Sequence, residues 1–264
     1  MSANLAQDQK DYLVDANSSV SDERETIGWG ERAVNQVAKL VISRLVVAEQ
    51  IDIWVDTTLP KTMRGEIDAI SIALQGFSVR PDLLIETFQL QINQVVIVPK
   101  LAIRGTIHLV QPASGKLKIT LREEHLTNFL SNQFINQRSP SFSSQLSSLI
   151  YRIHQISVSF AATNQLLIAL NWASASTDLY HSTTLLLTPE ITSEGQTVNL
   201  AMASVSGQAV PTELATDILL AIAEILNLED FKQQGTAFQV RQLEISREAL
   251  AVYADAVIHQ IPAK

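Results

Sequence analysis

From residue 51 onward, apolar and polar side chains alternate along much of the chain. Ile51, Ile53 and Val55 alternate with Asp52, Trp54 and Asp56, and Ile70, Ile72 and Leu74 alternate with Ser71, Ala73 and Gln75. The longest run sets Phe88, Leu90 and Ile92 against Thr87, Gln89, Gln91 and Asn93, then continues through Val95, Val96, Ile97 and Val98 to Pro99. Strand side chains point to alternate faces, so a period of two predicts antiparallel strands with one face buried and one wet. Ile107 and Leu109 open a further strand. The segment from Gln111 through Pro112, Ala113 and Ser114 to Gly115 reads as a bulge or turn, and Leu117, Ile119 and Leu121 continue the alternation.

Helical spacing interrupts this pattern at defined places. Val34, Val37, Ala38, Val41, Ile42 and Leu45 recur at three and four residues, with Glu31, Arg32, Asn35, Gln36, Lys39 and Arg44 on the other faces. That is an amphipathic helix whose stripe must be buried. After residue 121 the period changes again. Thr120 and Glu123 have capping-box spacing, and Leu126, Phe129, Leu130 and Phe134 form a helical stripe. Beyond Pro140, a second short helix is suggested by Phe142, Leu146, Leu149, Ile150 and Ile153.

The second half repeats the plan. Ile156, Val158 and Phe160 alternate with serines; a turn near Thr163 and Asn164 leads to Leu166, Ile168, Leu170 and Trp172, and further strands follow near 182–187 and 197–204. Pro211 and Thr212 open a helix bearing Leu214, Ile218, Ala221, Ile222, Ile225 and Leu228, closed by Asn227, Glu229 and Asp230. Residues 238–245 read as a strand, whereas 250–258 fit both strand and helix periods. The expected class is α+β: an elongated, strongly twisted antiparallel sheet curled around amphipathic helices. The expected organisation is an acidic leader over 1–26 and one domain over 27–262, with similar halves near 27–138 and 139–262.

Composition narrows the function classes. Hydrophobic residues make up 46% of the chain and charged residues 17%, against about 25% charged in a typical globular protein. The material for a large core is present, and the low charge points either to an unusually apolar interior or to apolar surface reserved for a ligand or a membrane. The net charge is −8, of which the leader carries Asp8, Asp11, Asp15, Asp22, Glu23 and Glu25 against Lys10 and Arg24. Such a balance offers no basic footprint for nucleic acid. With no cysteine, thiolate chemistry and disulfides are excluded. The N-terminus has no apolar signal core and no stretch nears the roughly 20 apolar residues of a membrane span, so a cytoplasmic protein with peripheral membrane contact is expected.

Catalytic chemistry is not advertised. His108, His125, His154, His181 and His259 are scattered without metal-ligand spacing. His125, after Arg122, Glu123 and Glu124, reads as part of a solvated first helical turn. The 9 glycines form neither a dinucleotide fingerprint nor a phosphate loop. Ser204, Val205, Ser206 and Gly207 read as a structural turn, and Trp29, Trp54 and Trp172 as packing or half-exposed strand positions that could also anchor at a lipid interface. A non-enzyme without metal or cofactor is expected.

Three stretches resemble the bacterial LmeA-like phospholipid-binding family: residues 65–77 (GEIDAISIALQGF), residues 121–130 (LREEHLTNFL), and residues 240–245 (VRQLEI) with 250–256 (LAVYADA). The resemblance spans 28–262 and favours strand at the C-terminus. It implies a fold akin to tubular lipid-binding domains, with phospholipid tails in an apolar cavity, and supplies no catalytic residues. The residues expected to line an acyl site are Val37, Val41 and Leu45 of the first helix and Ile70, Ile72, Leu74, Phe88, Leu90 and Ile92 of the long strands. Phospholipid or another acyl lipid is the expected partner, for transfer or membrane homeostasis. The alternative is a scaffolding subunit with a solid core and a protein partner that the sequence does not identify.

Overall fold

The structure is a computed structural model that describes residues 48–80, 82–98, 109–136, 151–161, 164–174, 179–192, 197–231 and 235–259. The acidic leader, the first amphipathic helix and residues 142–150 of the second short helix lie outside the described residues.

The alternating segments form strands β1 (Gln50–Asp56), β2 (Glu66–Arg80), β3 (Leu83–Val96), β4 (Ala113–Leu121), β5 (Tyr151–Ala161), β6 (Gln165–Ser174), β7 (Tyr180–Ile191), β8 (Val198–Gly207), β9 (Thr236–Ile245) and β10 (Leu250–Ile258). The helical segments form α2 (Glu123–Phe134) and α3 (Thr212–Leu226), preceded by a short α1 (Leu59–Arg64) that the periodicity did not indicate. The strands build two antiparallel sheets rather than the single sheet expected. One is six-stranded in the order β1-β2-β3-β4-β10-β9, and the other is the four-stranded meander β5-β6-β7-β8. The C-terminal hairpin therefore returns to the sheet of the first half.

Register explains why the first sheet has one apolar face. Ile53 pairs with Ile72, Ile72 with Leu90, and Leu90 with Leu117; Leu117 pairs with Ala254, and Ala254 with Val240. Every member of that row is apolar. The adjacent row runs through Trp54, Ser71, Gln91, Lys116 and Asp255 and is polar but for Trp54, which is 38% exposed. Residues 250, 252, 254, 256 and 258 all fall on the apolar rows, which settles the C-terminus as strand. Two residues in left-handed backbone disturb the β2–β3 hairpin, Gly76 (φ 58) and Gln94 (φ 53). At each place both strands advance two residues between flanking pairs, so the buried positions change parity, from Phe88 to Ile85 and Leu83.

One core joins both sheets and both longer helices. α2 contributes Leu126, Phe129 and Leu130, α3 contributes Leu214, Ile218, Ile222 and Ile225, and the second sheet contributes Phe160, Leu166, Ile168 and Leu185. Side chains next to or on the helices also close the edges of the second sheet. On β5, the Val158 N–H donates to Thr127 Oγ1 (2.9 Å) and the Phe160 N–H to Glu123 Oε1 (2.5 Å). On β8, the Val198 N–H donates to Asn227 Oδ1 (2.6 Å) and Asn227 Nδ2 donates to the Val198 carbonyl (3.1 Å). These contacts satisfy strand edges that would otherwise template pairing with another chain.

Four local expectations are corrected. The α2 N-cap is Arg122, not Thr120, because Thr120 is still in β4 opposite Ala251. Ile153 belongs to β5 opposite Trp172, so no helix reaches it. Ala113, Ser114 and Gly115 are strand rather than turn, and Leu109 makes an isolated bridge to Ile97. Residues 204–207 end β8, where a side chain on Gly207 (φ 90) would meet the Ser182 carbonyl oxygen.

Candidate functional site

The described candidates for an acyl site come together as three cross-strand pairs: Ile70 with Ile92, Ile72 with Leu90, and Leu74 with Phe88. All six lie on the apolar face of the first sheet. Val37, Val41 and Leu45 lie outside the described residues. Leu74, Phe88 and Ile92 are buried, and Ile70, Ile72 and Leu90 are half-buried.

This face is not one continuous packing unit. Its Leu74–Phe88 end merges with the main core, where Phe88 meets Phe77 edge-on at 5.8 Å and stacks on Phe231 at 5.7 Å. Its other end is a separate cluster of Ile92, Val95, Ala113 and Ile258, joined by half-buried Ile67, Ile70, Ile97 and Leu109. Leu90 packs against both clusters. The division falls where Gly115 pairs with Ile92 on one side and Ala256 on the other. With no side chain at 115 and only a methyl at 256, the β4–β10 pair contributes nothing large between the two clusters, and Leu90 of β3 spans them. A Cβ at position 115 would sit 2.6 Å from the Gln91 carbonyl oxygen, so close approach of β3 and β4 requires glycine there.

Sequence reasoning missed part of this surface. Ile67, Ile97, Leu109 and the Gly115–Ala256 strip join it through register, which one strand's periodicity does not reveal.

The other residues singled out in the sequence take structural places. Trp172 is buried, its Nε1–H donating to Thr183 Oγ1 (3.2 Å). Trp54 stands half-exposed on edge strand β1. His154 is exposed beside the Tyr180 ring, and His181 lies 4.5 Å from the Trp172 ring. His125 is corrected: it is 6% exposed rather than solvated, because the first turn of α2 packs against the β2–β3 hairpin. Burial holds its imidazole below the ordinary histidine range, against the pull of Glu124 and Glu86. Among the described residues, no helix is long and apolar enough to cross a membrane.

Fold and face together define an α+β protein of antiparallel sheets built around an extended, divided apolar surface. The sequence pattern of the LmeA-like phospholipid-binding family matches residues 26–255. The chain belongs to that family, as residues 65–77, 121–130 and 240–256 foreshadowed. No curated protein and no solved structure matches it significantly.

Proposed function

We propose that this protein binds phospholipid by its acyl chains along the apolar face of the first sheet and carries the lipid without chemical conversion, serving lipid transfer or membrane homeostasis. In this reading the sheet curls around its ligand and the helices, as in tubular lipid-binding domains. The chain would lie over the Gly115–Ala256 strip between the two apolar clusters, flanked by Ile70, Ile72 and Leu90.

The observation that carries this reading is that division of the face. The close approach of β3 to β4 sets glycine at 115 and only a methyl stands at 256, so the face offers a smooth apolar strip flanked by larger side chains. An acyl chain laid along this strip would add apolar contact to both clusters. Each buried methylene contributes about 0.8 kcal/mol, so roughly ten would contribute ~8 kcal/mol before the costs of association. That suffices for useful affinity without a charged contact to the headgroup.

The test is uptake from vesicles of a phosphatidylcholine carrying a fluorescent acyl chain, by the full chain and by Ile72→Glu. Uptake by the wild type, with at least about a tenfold loss in a variant whose circular dichroism is unchanged, supports the reading. Equal uptake by both places the lipid elsewhere. Absence of uptake by the wild type favours a solid-core scaffold.

A further inference from the structure

Away from the apolar face, the end of the β2–β3 hairpin and α2 enclose a feature of opposite character. It is a cavity of about 310 Å³, within the size range of small-molecule sites. Two lining side chains, Asp82 and His125, are each only 6% exposed. Ser78 and Leu84 line the hairpin side. Asn128, Asn132 and Asn136 line the helix side at intervals of four, which puts them in one row along α2 and just past its end. Asn136 Nδ2 donates to Asn132 Oδ1 at 2.9 Å and so orients the amide row.

The buried atoms of this lining suggest a ligand. His125 Nδ1 is buried and has no hydrogen-bond partner within the protein, and buried Asp82 Oδ1 makes no hydrogen bond beyond its ion pair with Arg80. Native structures rarely leave such atoms unsatisfied, since each forfeits its hydration on folding. Here both residues line an open cavity, where a bound group can complete them.

Charge decides what kind of group. Asp82 is balanced by Arg80, whose Nε is 3.3 Å from Oδ1, while Oδ2 accepts from Gln133 Nε2 at 3.0 Å. Arg80 is itself fixed between Glu224 (3.5 Å) and the Phe129 ring (4.7 Å). The described lining includes neither lysine nor arginine. An anion would thus meet the Asp82 carboxylate with no lysine or arginine in the described lining to hold it, and a cation would have to compete with Arg80 for Asp82. The remaining lining groups are amides, hydroxyls and one imidazole, which both donate and accept.

The geometry points to a binding site for an uncharged polyhydroxylated group, a sugar ring, whose hydroxyls complete Asp82 and His125 and bond along the Asn128–Asn132–Asn136 row. A hydroxyl donates to the carboxylate while accepting from an amide, a pairing that neither a phosphodiester, which only accepts, nor an ammonium, which only donates, can make. The sugar could arrive free in solution or as the glycosyl headgroup of a lipid. This inference does not rest on the acyl site and survives its failure.

The test titrates the full chain with methyl β-galactoside and methyl α-glucoside by calorimetry. In parallel, the chain is co-sedimented with phosphatidylcholine vesicles containing a galactosyl diacylglycerol, phosphatidylglycerol or neither. Saturable binding of a free glycoside, weakened about tenfold or more by Asn132→Leu, supports the site with a soluble sugar as ligand. Enrichment on the galactolipid vesicles alone, lost in the same variant, supports it with a headgroup as ligand. Asn128 is exposed, so Asn128→Leu serves as a second variant should Asn132→Leu not fold. No binding to any probe, binding indifferent to both substitutions, or preference for phosphatidylglycerol overturns the inference.

Discussion

Gly115 of β4 and Ala256 of β10 face each other across an antiparallel pair, and between them the apolar face of the first sheet carries nothing larger than a methyl group. Leu117 and Ala254 on one side belong to the main core, and Ala113 and Ile258 on the other to a separate cluster. The proposed acyl path crosses this strip.

A larger side chain in the strip should therefore block the path without dismantling the sheet. Ala256→Leu adds three carbons at a position 1% exposed. It is expected to lower lipid uptake by about tenfold, with an overpacking cost of roughly 1–3 kcal/mol. Uptake from fluorescent vesicles and urea denaturation read the two effects separately. Undiminished uptake would mean the lipid does not cross the strip.

The strands were largely legible, and the reason is physical. Where one face is core and the other water, as in Phe88, Leu90 and Ile92 against Gln89, Gln91 and Asn93, period two must appear. The partners of those strands were not legible. Nothing near residue 250 announces that Val252 will pair with Ile119, more than a hundred residues away. The same nonlocality hid the site. Gly115 looks like a turn glycine in the sequence, yet it is needed because the Gln91 carbonyl comes too near for a side chain. α1 escaped because Leu59 and Met63 are 65% and 76% exposed, so no buried stripe marks it. His125 was misread because acids nearby in sequence suggest solvent, while the hairpin that covers it is distant in sequence.

Phe129 should be among the most costly single truncations. It is 0% exposed in the core cluster and its ring lies under the Arg80 guanidinium at 4.7 Å. Phe129→Ala is expected to cost about 3–5 kcal/mol by urea denaturation. A loss near zero would contradict the packing of α2 against both sheets.

Asn227 closes the β8 edge with two hydrogen bonds to Val198. Asn227→Ala is expected to cost about 1–3 kcal/mol, because it leaves the Val198 N–H and carbonyl unpaired. Hydrogen exchange should show faster loss of the Val198 amide than of the Leu185 amide. Equal protection of Val198 in both proteins would contradict that contact.

Stability should depend on pH from two sides. The buried His125 imidazole resists protonation that the unfolded chain accepts near its ordinary value of 6.5. Stability from this group is full above that value and declines as the pH falls below it. The Tyr253 hydroxyl is pushed up to about 12 by burial, by the Glu244 charge and by its hydrogen bond to Glu244 (3.1 Å). That stability is present below pH 10.0 and is lost as the pH rises towards 12, at most ~3 kcal/mol. Thermal denaturation across pH should flatten on the acid side in His125→Gln and on the alkaline side in Tyr253→Phe. Unchanged limbs would contradict these environments.

Native mass spectrometry of the purified full chain, with organic extraction and identification of whatever comes off, tests the central claim most directly. A near-stoichiometric phospholipid adduct on the wild type, depleted in Ala256→Leu, is the result the acyl site predicts. A bare mass that stays bare after incubation with phospholipid vesicles would contradict it.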